Sequence, residues 1–406
     1  MKRLASVLTA VAIFAAWSWT LVSLLQGRVV SDPSEPGALA FQSYSSTPLS
    51  LLKLAAAIAF ISAGLLAMFD GGIRVLSLKN RFLLALSVLA SFCWAVLVYA
   101  PTEVEIAVRQ PTSPLIWLTL IGLFVGTRDD TWWVLQPVLR AITYLTIPPA
   151  LWCMFSLHHY GRFNGPNAPI QFLSLLFWLG TYNLLSARAE SIWQILIRGL
   201  PVGVCIVLAL FTQSRGWLIL CIFSFVLLII REARLNPETF RKQVVKLSIF
   251  ATLLFLAFAY SLAVYYPTAL TGLLGRITEN TRTEQYRTFF AQVPLQDLLL
   301  GQGPKAGYRW GRDAHYQFFD NQLIWILFIG GIPMLATYLA LIVFPGIRLF
   351  QKARTRDEFA AGGVLVLWSL AALGLSTYSG IGLFAQHYFV IALAGFAHQR
   401  IPSRAL

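Results

Sequence analysis

One hydrophilic stretch, residues 266 to 319, carries Arg276, Arg282, Arg287, Lys305, Arg309 and Arg312, and it runs through His315 up to the pair Asp320-Asn321. A further arginine, Arg215, sits in a polar knot, Thr212-Gln213-Ser214-Arg215-Gly216, inside an otherwise apolar run from Leu200 to Ile230. Guanidinium groups match phosphate oxygens through paired hydrogen bonds, so arginines grouped in this way suit a phosphate-bearing lipid or substrate. A carboxylate or an imidazole beside them adds a proton acceptor. Asp320 or His315 can take the proton of an attacking hydroxyl. Arg215, Arg282, Arg287, Lys305, Arg309 and Asn321 can then hold the donor and its departing diphosphate.

Each of these residues also has a plainer role open to it. Exposed arginines meet anionic lipid headgroups. Asp320 stands where a helix N-cap would satisfy free amides, and Arg215 where a side chain can anchor a helix at an interface. Gly301-Gln302-Gly303-Pro304-Lys305 lacks the Gly-Lys-Ser/Thr ending of a Walker loop and follows no strand, so it reads as a tight turn rather than a nucleotide site. The neighbours His158 and His159 lack the carboxylate or histidine company of a metal site. Cys93, Cys153, Cys205 and Cys221 lie in apolar stretches with no Cys-x-x-Cys spacing and read as packing residues. Nothing in these spacings calls for a metal or a cofactor.

The elements that must position such a site are apolar. Of 406 residues 57% are hydrophobic and 12% charged, with mean hydropathy +0.69, whereas a soluble domain is about 25% charged. A soluble reading is excluded. Apolar segments fall at 4–25, 48–68, 82–100, 114–126, 132–157, 168–186, 191–212, 215–230, 245–265, 322–346, 360–376 and 380–398, with 114–126 and 215–230 short. Segments facing lipid must satisfy their own backbone hydrogen bonds, so the expected fold is all-α, with about twelve transmembrane helices. Residues 1–265 would hold helices one to nine, 266–319 a large loop, and 320–406 helices ten to twelve. Met1-Lys2-Arg3 before an apolar run from Leu4 to Leu25 is read as an uncleaved first helix.

The formal net charge of +14 would suggest a nucleic-acid partner in a soluble chain; in this one it is an orientation signal and implies no nucleic acid. Lys2 and Arg3, then Arg74, Lys79 and Arg81, then the cluster from Arg231 to Lys246, then Arg348 to Arg356, and finally Arg400 and Arg404 fall on alternate connections. That side is the expected cytoplasmic one and holds both termini, so the loop at 266–319 faces away from the cytoplasm. Lys53, Arg140 and Arg198 lie within or at the edge of spans and read as snorkelling or anchoring side chains. Residues 31 to 47 read as an ordinary external loop. Within 266–319, Tyr286, Phe289, Phe290 and Val293 recur at helical spacing up to Pro294, which predicts an amphipathic helix on the membrane surface or over the bundle.

Taken in order, these pieces resemble the bacterial O-antigen ligase and polymerase superfamily, integral membrane glycosyltransferases acting on undecaprenyl-diphosphate-linked glycans. The resemblance rests on Thr212-Gln213-Ser214-Arg215-Gly216, on Arg282 followed by Tyr286, on Pro294 leading to Gly301-Gln302-Gly303, and on Asp320-Asn321, Leu323, Gly330 and Gly331. It covers about 200 to 345. It implies a twelve-span bundle in the bacterial inner membrane and a metal-independent, inverting transfer of a glycan to a hydroxyl on the periplasmic face. Arg215 and Arg282 would bind the pyrophosphate. It also implies membrane lipids, a glycan or lipid-linked acceptor and other polysaccharide-assembly proteins as partners. Ligases of the family show His-Asn where this chain has Asp320-Asn321, so a repeat-unit polymerase is preferred over a ligase, with Asp320 favoured over His315 as base. A lipid or solute transporter would place its ionisable residues at mid-membrane in paired halves; here they are external and confined to one region.

Overall fold

The computed structural model describes residues 2–31, 39–94 (except 43 and 45), 118–157, 168–187, 192–237 (except 213), 281–303, 306–316 (except 312), 319, 321–374 and 385–400, with isolated positions at 245, 260 and 264. The described chain is built of helices: α1 (Lys2–Leu25), α2 (Thr47–Phe69), α3 (Leu78–Trp94), α4 (Leu123–Gly126, entered through a 3-10 turn at Thr119–Gly122), α5 (Asp129–Leu157), α6 (Ala168–Ser186), α7 (Ile192–Phe211) and α8 (Arg215–Leu235). They continue as α9 (Thr281–Gln292), α10 (Leu295–Leu300), α11 (Gln322–Tyr338), α12 (Phe344–Lys352), α13 (Arg356–Ala371) and α14 (Ala385–Arg400).

Among the described residues, four stretches are long and apolar enough to cross a membrane: Leu4–Leu25, Thr47–Phe69, Trp193–Leu210 and Gln322–Lys352, with Phe172–Ser186 a shorter apolar helix. This is the build of a helical membrane protein. The other apolar segments named above are helical over most of their described residues, with turns at 212 and 372–374, while 245–265 falls almost wholly outside the described residues.

Two hairpins depart from the all-α expectation. β1 (Arg28–Ser31) pairs antiparallel with β2 (Leu39–Gln42), and β3 (Tyr308–Trp310) with β4 (Asp313–Tyr316). Both are too short for a hydropathy window to resolve. The first pairs the β-branched Val29 and Val30 with Phe41 and Ala40, and the second joins aromatic Tyr308, Trp310 and Tyr316, with Gly311 at φ 59° supplying its tight turn.

Without a hydrophobic driving force between helices in lipid, close packing through small residues holds them together. Buried Ala5, Ala12 and Ala16 of α1 and Ala56, Ala57 and Ala63 of α2 make such seams. α4 and α14 approach very closely: a Cβ on Gly126 would collide with the Ala392 carbonyl and one on Gly395 with the Leu123 carbonyl. Of the cysteines, Cys153, Cys205 and Cys221 are buried as expected, but Cys93 is exposed.

One end of the bundle is fastened by arginines. Arg231 of α8 is fully buried, and its Nη1 donates to the carbonyls of Leu184 (3.1 Å), Leu185 (2.6 Å) and Ala187 (3.0 Å), closing the C-terminus of α6. Its Nε meets Glu232 at 2.8 Å. A cation at a helix C-terminus is favoured by the exposed carbonyls there. One turn on, Arg234 donates to the carbonyls of Phe350 (2.8 Å) and Gln351, doing the same for α12. Arg128 pairs with Asp70 after α2, and Arg400 of α14 with Asp129 of α5 at 2.7 Å. The ends of α2, α6, α8, α12 and α14 and the start of α5 therefore share one side.

Candidate functional site

The hydrophilic segment folds into a small unit with its own core. Phe289 of α9 is fully buried, and its ring lies 4.7 Å from that of Phe319, 5.0 Å from Phe328 of α11 and 5.1 Å from Tyr308 of β3. Val293, Leu298, Ala306 and Trp325 complete the cluster. The predicted amphipathic helix is present, but its buried line runs through Gln285, Phe289 and Val293, and Phe290 is 52% exposed. Gln285 belongs to that line because its Nε2 donates to the Tyr308 hydroxyl at 2.8 Å, so a buried amide is satisfied. At the other end of α9, Gln292 reads the backbone of Arg309 both ways: its Nε2 donates to the carbonyl (3.0 Å) and its Oε1 accepts from the amide (2.9 Å).

This unit is seated on a break in α11. Gly331 has φ 64° and ψ −169°, and Pro333 follows inside the helix. Proline has no N–H, so the Ile329 carbonyl loses its helical donor, and the turn at Gly331 opens the neighbouring bond. Gly303 N donates to Ile329 O and Gln302 N to Phe328 O, both at 2.8 Å. The Gly301-Gln302-Gly303 turn is thus a plug that satisfies the broken helix, which matters most in lipid, where a bare carbonyl finds no water. The approach requires glycine on both sides. A Cβ on Gly301 would stand 2.5 Å from Ile329 O, and one on Gly331 2.5 Å from Leu299 O.

Where the chain re-enters the bundle, Asn321 caps α11. Its Oδ1 accepts from the amides of Leu323 (3.0 Å) and Ile324 (3.1 Å), and its Nδ2 donates to Leu373 O (3.3 Å) beyond the end of α13. Gln322 N reaches Ala372 O at 2.8 Å. The start of α11 is thereby tied to the end of α13.

Arg215 is the first residue of α8 and is half-buried. The turn before it is compact, with Ser214 N bonded to Ala209 O at 2.8 Å and the Thr212 hydroxyl to Leu208 O at 2.8 Å. Two residues on, Trp217 stacks edge-on to Trp178 of α6 at 6.0 Å, and Trp178 lies 4.8 Å from Trp368 in the last turns of α13. Trp368 is one helical turn from Ala372, the residue bonded to Gln322. A continuous aromatic path thus places Arg215 at the same end of the bundle as Asn321.

The remaining candidates divide. Arg287 on α9 and Arg309 on β3 are exposed. His315 on β4 is exposed too, and its ring covers Gly307, where any added Cβ would strike it. Arg282 lies in α9, with its side chain outside the described residues; Asp320, Lys305, Arg276 and Arg312 are outside them altogether. Gln285, Gln292 and Pro333, which build the unit and its seat, were not among the residues singled out by chemistry. Their signal was faint, a Gly-Gly-Ile-Pro breaker inside an apolar helix and two glutamines seven residues apart. No family model and no curated protein matches the chain.

Proposed function

We propose that the chain is a membrane glycosyltransferase that polymerises polysaccharide repeat units, passing a glycan from an undecaprenyl-diphosphate donor to a sugar hydroxyl of a lipid-linked acceptor. The observation that carries the reading is the seating of an arginine-bearing polar unit on the broken half of α11, at the bundle end headed by Arg215. A polar lid over an apolar bundle suits a donor whose diphosphate lies at the membrane surface and whose prenyl tail lies in lipid. In this reading Arg215 and Arg282 hold the diphosphate and Arg287, Lys305 and Arg309 extend the positive surface. Asp320, or His315 on the hairpin, takes the proton of the acceptor hydroxyl, and the leaving undecaprenyl diphosphate carries away the negative charge. No metal is needed in this scheme, since guanidinium groups supply the charge stabilisation.

The topology of the proposal is twelve spans, both termini cytoplasmic and the lid periplasmic in a bacterial inner membrane. It is supported by the arginine-fastened end of the bundle, which gathers helix termini that the alternation of positive charges puts on one side.

In a reconstituted system with an undecaprenyl-diphosphate-linked repeat unit, the wild type should release undecaprenyl diphosphate and lengthen the glycan. Arg215→Ala and Arg282→Ala should each lower this by at least about a hundredfold at normal protein level, the scale of losing one group that stabilises developing charge. Full-length polymer from both variants refutes the proposal. Release of carrier without lengthening, accompanied by glycan transfer to a lipid A-core acceptor, would replace polymerase by ligase. Movement of lipid without any release would replace both by a transporter.

A further inference from the structure

We infer that the polar unit stands on the membrane through α10, whose outer leucines sink into the acyl chains of the leaflet on that side. α10 lies directly against the break in α11, since a Cβ on Gly331 would meet Leu299 O at 2.5 Å and Leu300 O at 2.8 Å. Yet Leu295 is 71% exposed, Leu299 45% and Leu300 78%. Phe290 of α9 is exposed as well, and so is Ile332, the residue after the break. Single exposed leucines are ordinary. Three in a helix of six residues make an apolar patch that calls for a partner.

The patch is one-sided and uncharged. At about 100° per residue, Leu295, Leu299 and Leu300 share an arc of about 140° on which Gln296 alone is polar. Leu298, off that arc, is buried in the core of the unit. Asp297 is the one charged residue from Thr288 to Gly303. It too lies off the arc, and its carboxylate accepts from Nε2 of Gln302 at 2.7 Å. No charge therefore has to be taken from water when the leucines enter lipid.

The depth of α10 follows from the helix it touches. The uncharged run from Asn321 to Ile347 ends in Arg348, Lys352, Arg354 and Arg356 at the fastened end, where Arg234 holds the Phe350 carbonyl. Twenty-one residues separate Lys352 from Gly331, about 31 Å at 1.5 Å each. That matches the hydrocarbon thickness of a bilayer, about 30 Å. Gly331, and α10 with it, therefore stands at the opposite hydrocarbon boundary. The part of α11 before the break, with Trp325, Phe328 and Ile329 in the core of the unit, lies beyond it. An exposed leucine at that level meets acyl chains. The expected surface helix, α9, turns its apolar line into the core of the unit, and α10 makes the membrane contact in its stead. The inference needs a chain that spans a bilayer and does not depend on the transfer reaction.

The test attaches a spin label to the full chain at Leu295→Cys, Leu299→Cys or Leu300→Cys, one at a time, in phosphatidylcholine vesicles. Each carries Cys93→Ser as well, because Cys93 is exposed while Cys153, Cys205 and Cys221 are buried. Glu284→Cys, at an exposed position in the first turn of α9, is the aqueous reference. Power-saturation EPR compares collisions with oxygen, which concentrates among acyl chains, and with a water-soluble nickel chelate. The three leucine-site labels should favour oxygen and read about 5–10 Å below the lipid headgroups, whereas the Glu284 label should favour nickel. The three positions are exposed, so no label disturbs the core, and each reads depth separately. A label at any of them as open to nickel as the Glu284 label would overturn the inference, because the patch then faces water. Labels shielded from both reagents would overturn it too, by putting protein such as a second copy of this chain over the patch.

Discussion

The amide of Gly303 donates to the carbonyl of Ile329 at 2.8 Å, in the place that the N–H of residue 333 would fill in an unbroken helix. A turn of the polar unit thus completes a membrane helix, and the two cannot be separated without exposing carbonyls.

Gly331→Ala should therefore be costly. It forces a side chain into a left-handed conformation, about 1–3 kcal/mol, and drives a Cβ to 2.5 Å from Leu299 O. Gly71→Ala, at φ 102° with nothing within 4 Å of its Cβ, is the control that pays the conformational part alone. Melting of purified protein should place Gly331→Ala clearly below Gly71→Ala; coincident curves would show that the crossing is not needed.

Arg231→Met should lose about 3–5 kcal/mol, because it takes the guanidinium from the Glu232 carboxylate and strands three carbonyls at and just beyond the end of α6 away from water. Adding Glu232→Leu should recover part of the loss. Chemical unfolding monitored by tryptophan fluorescence reads both, and a double variant no better than the single one would argue against the ion pair as the cause.

Asn321 separates structure from chemistry. Asn321→Ala should cost about 1–2 kcal/mol through the lost cap, whereas Asn321→Asp keeps an oxygen for the Leu323 and Ile324 amides and loses only the donation to Leu373. If Asn321 also contacts the donor, polymer yield should fall in the aspartate variant while its melting temperature stays near wild type.

Phe289→Ala should loosen the polar unit without melting the bundle. Truncating a core phenylalanine costs about 3–5 kcal/mol, and here the loss is confined to the cluster around Tyr308, Phe319 and Phe328. Limited proteolysis should cut within 281–319 many times faster, at an unchanged global unfolding midpoint; a parallel fall in both would mean that the unit and the bundle unfold together.

The helices were legible because burial in lipid leaves a one-dimensional trace. Long apolar runs such as Thr47–Phe69 are visible to a sliding window, whereas the cap of α11, expected at Asp320, is Asn321. What escaped depended on partners distant in sequence. The role of Gln302 and Gly303 required knowing that Phe328 and Ile329 would present bare carbonyls, and Arg231 looked like one more cytoplasmic charge until the end of α6 lay against it. Phe290 matched the helical spacing, but a window cannot tell which of two adjacent aromatics a three-sided pocket will admit. Gln285 won its buried place through a hydroxyl twenty-three residues away.

The contact between Gly126 and Gly395 sets an order of events during synthesis. α14 is the last described element to emerge from the ribosome, yet it fills the space against α4 and, through Arg400, fastens the start of α5. The N-terminal helices must wait in the membrane with a vacant groove until α14 has been made. Chains released before Ala385 would present that groove to the proteases that police unfinished membrane proteins, so loss of α14 should be felt first as low abundance and only then as lost activity.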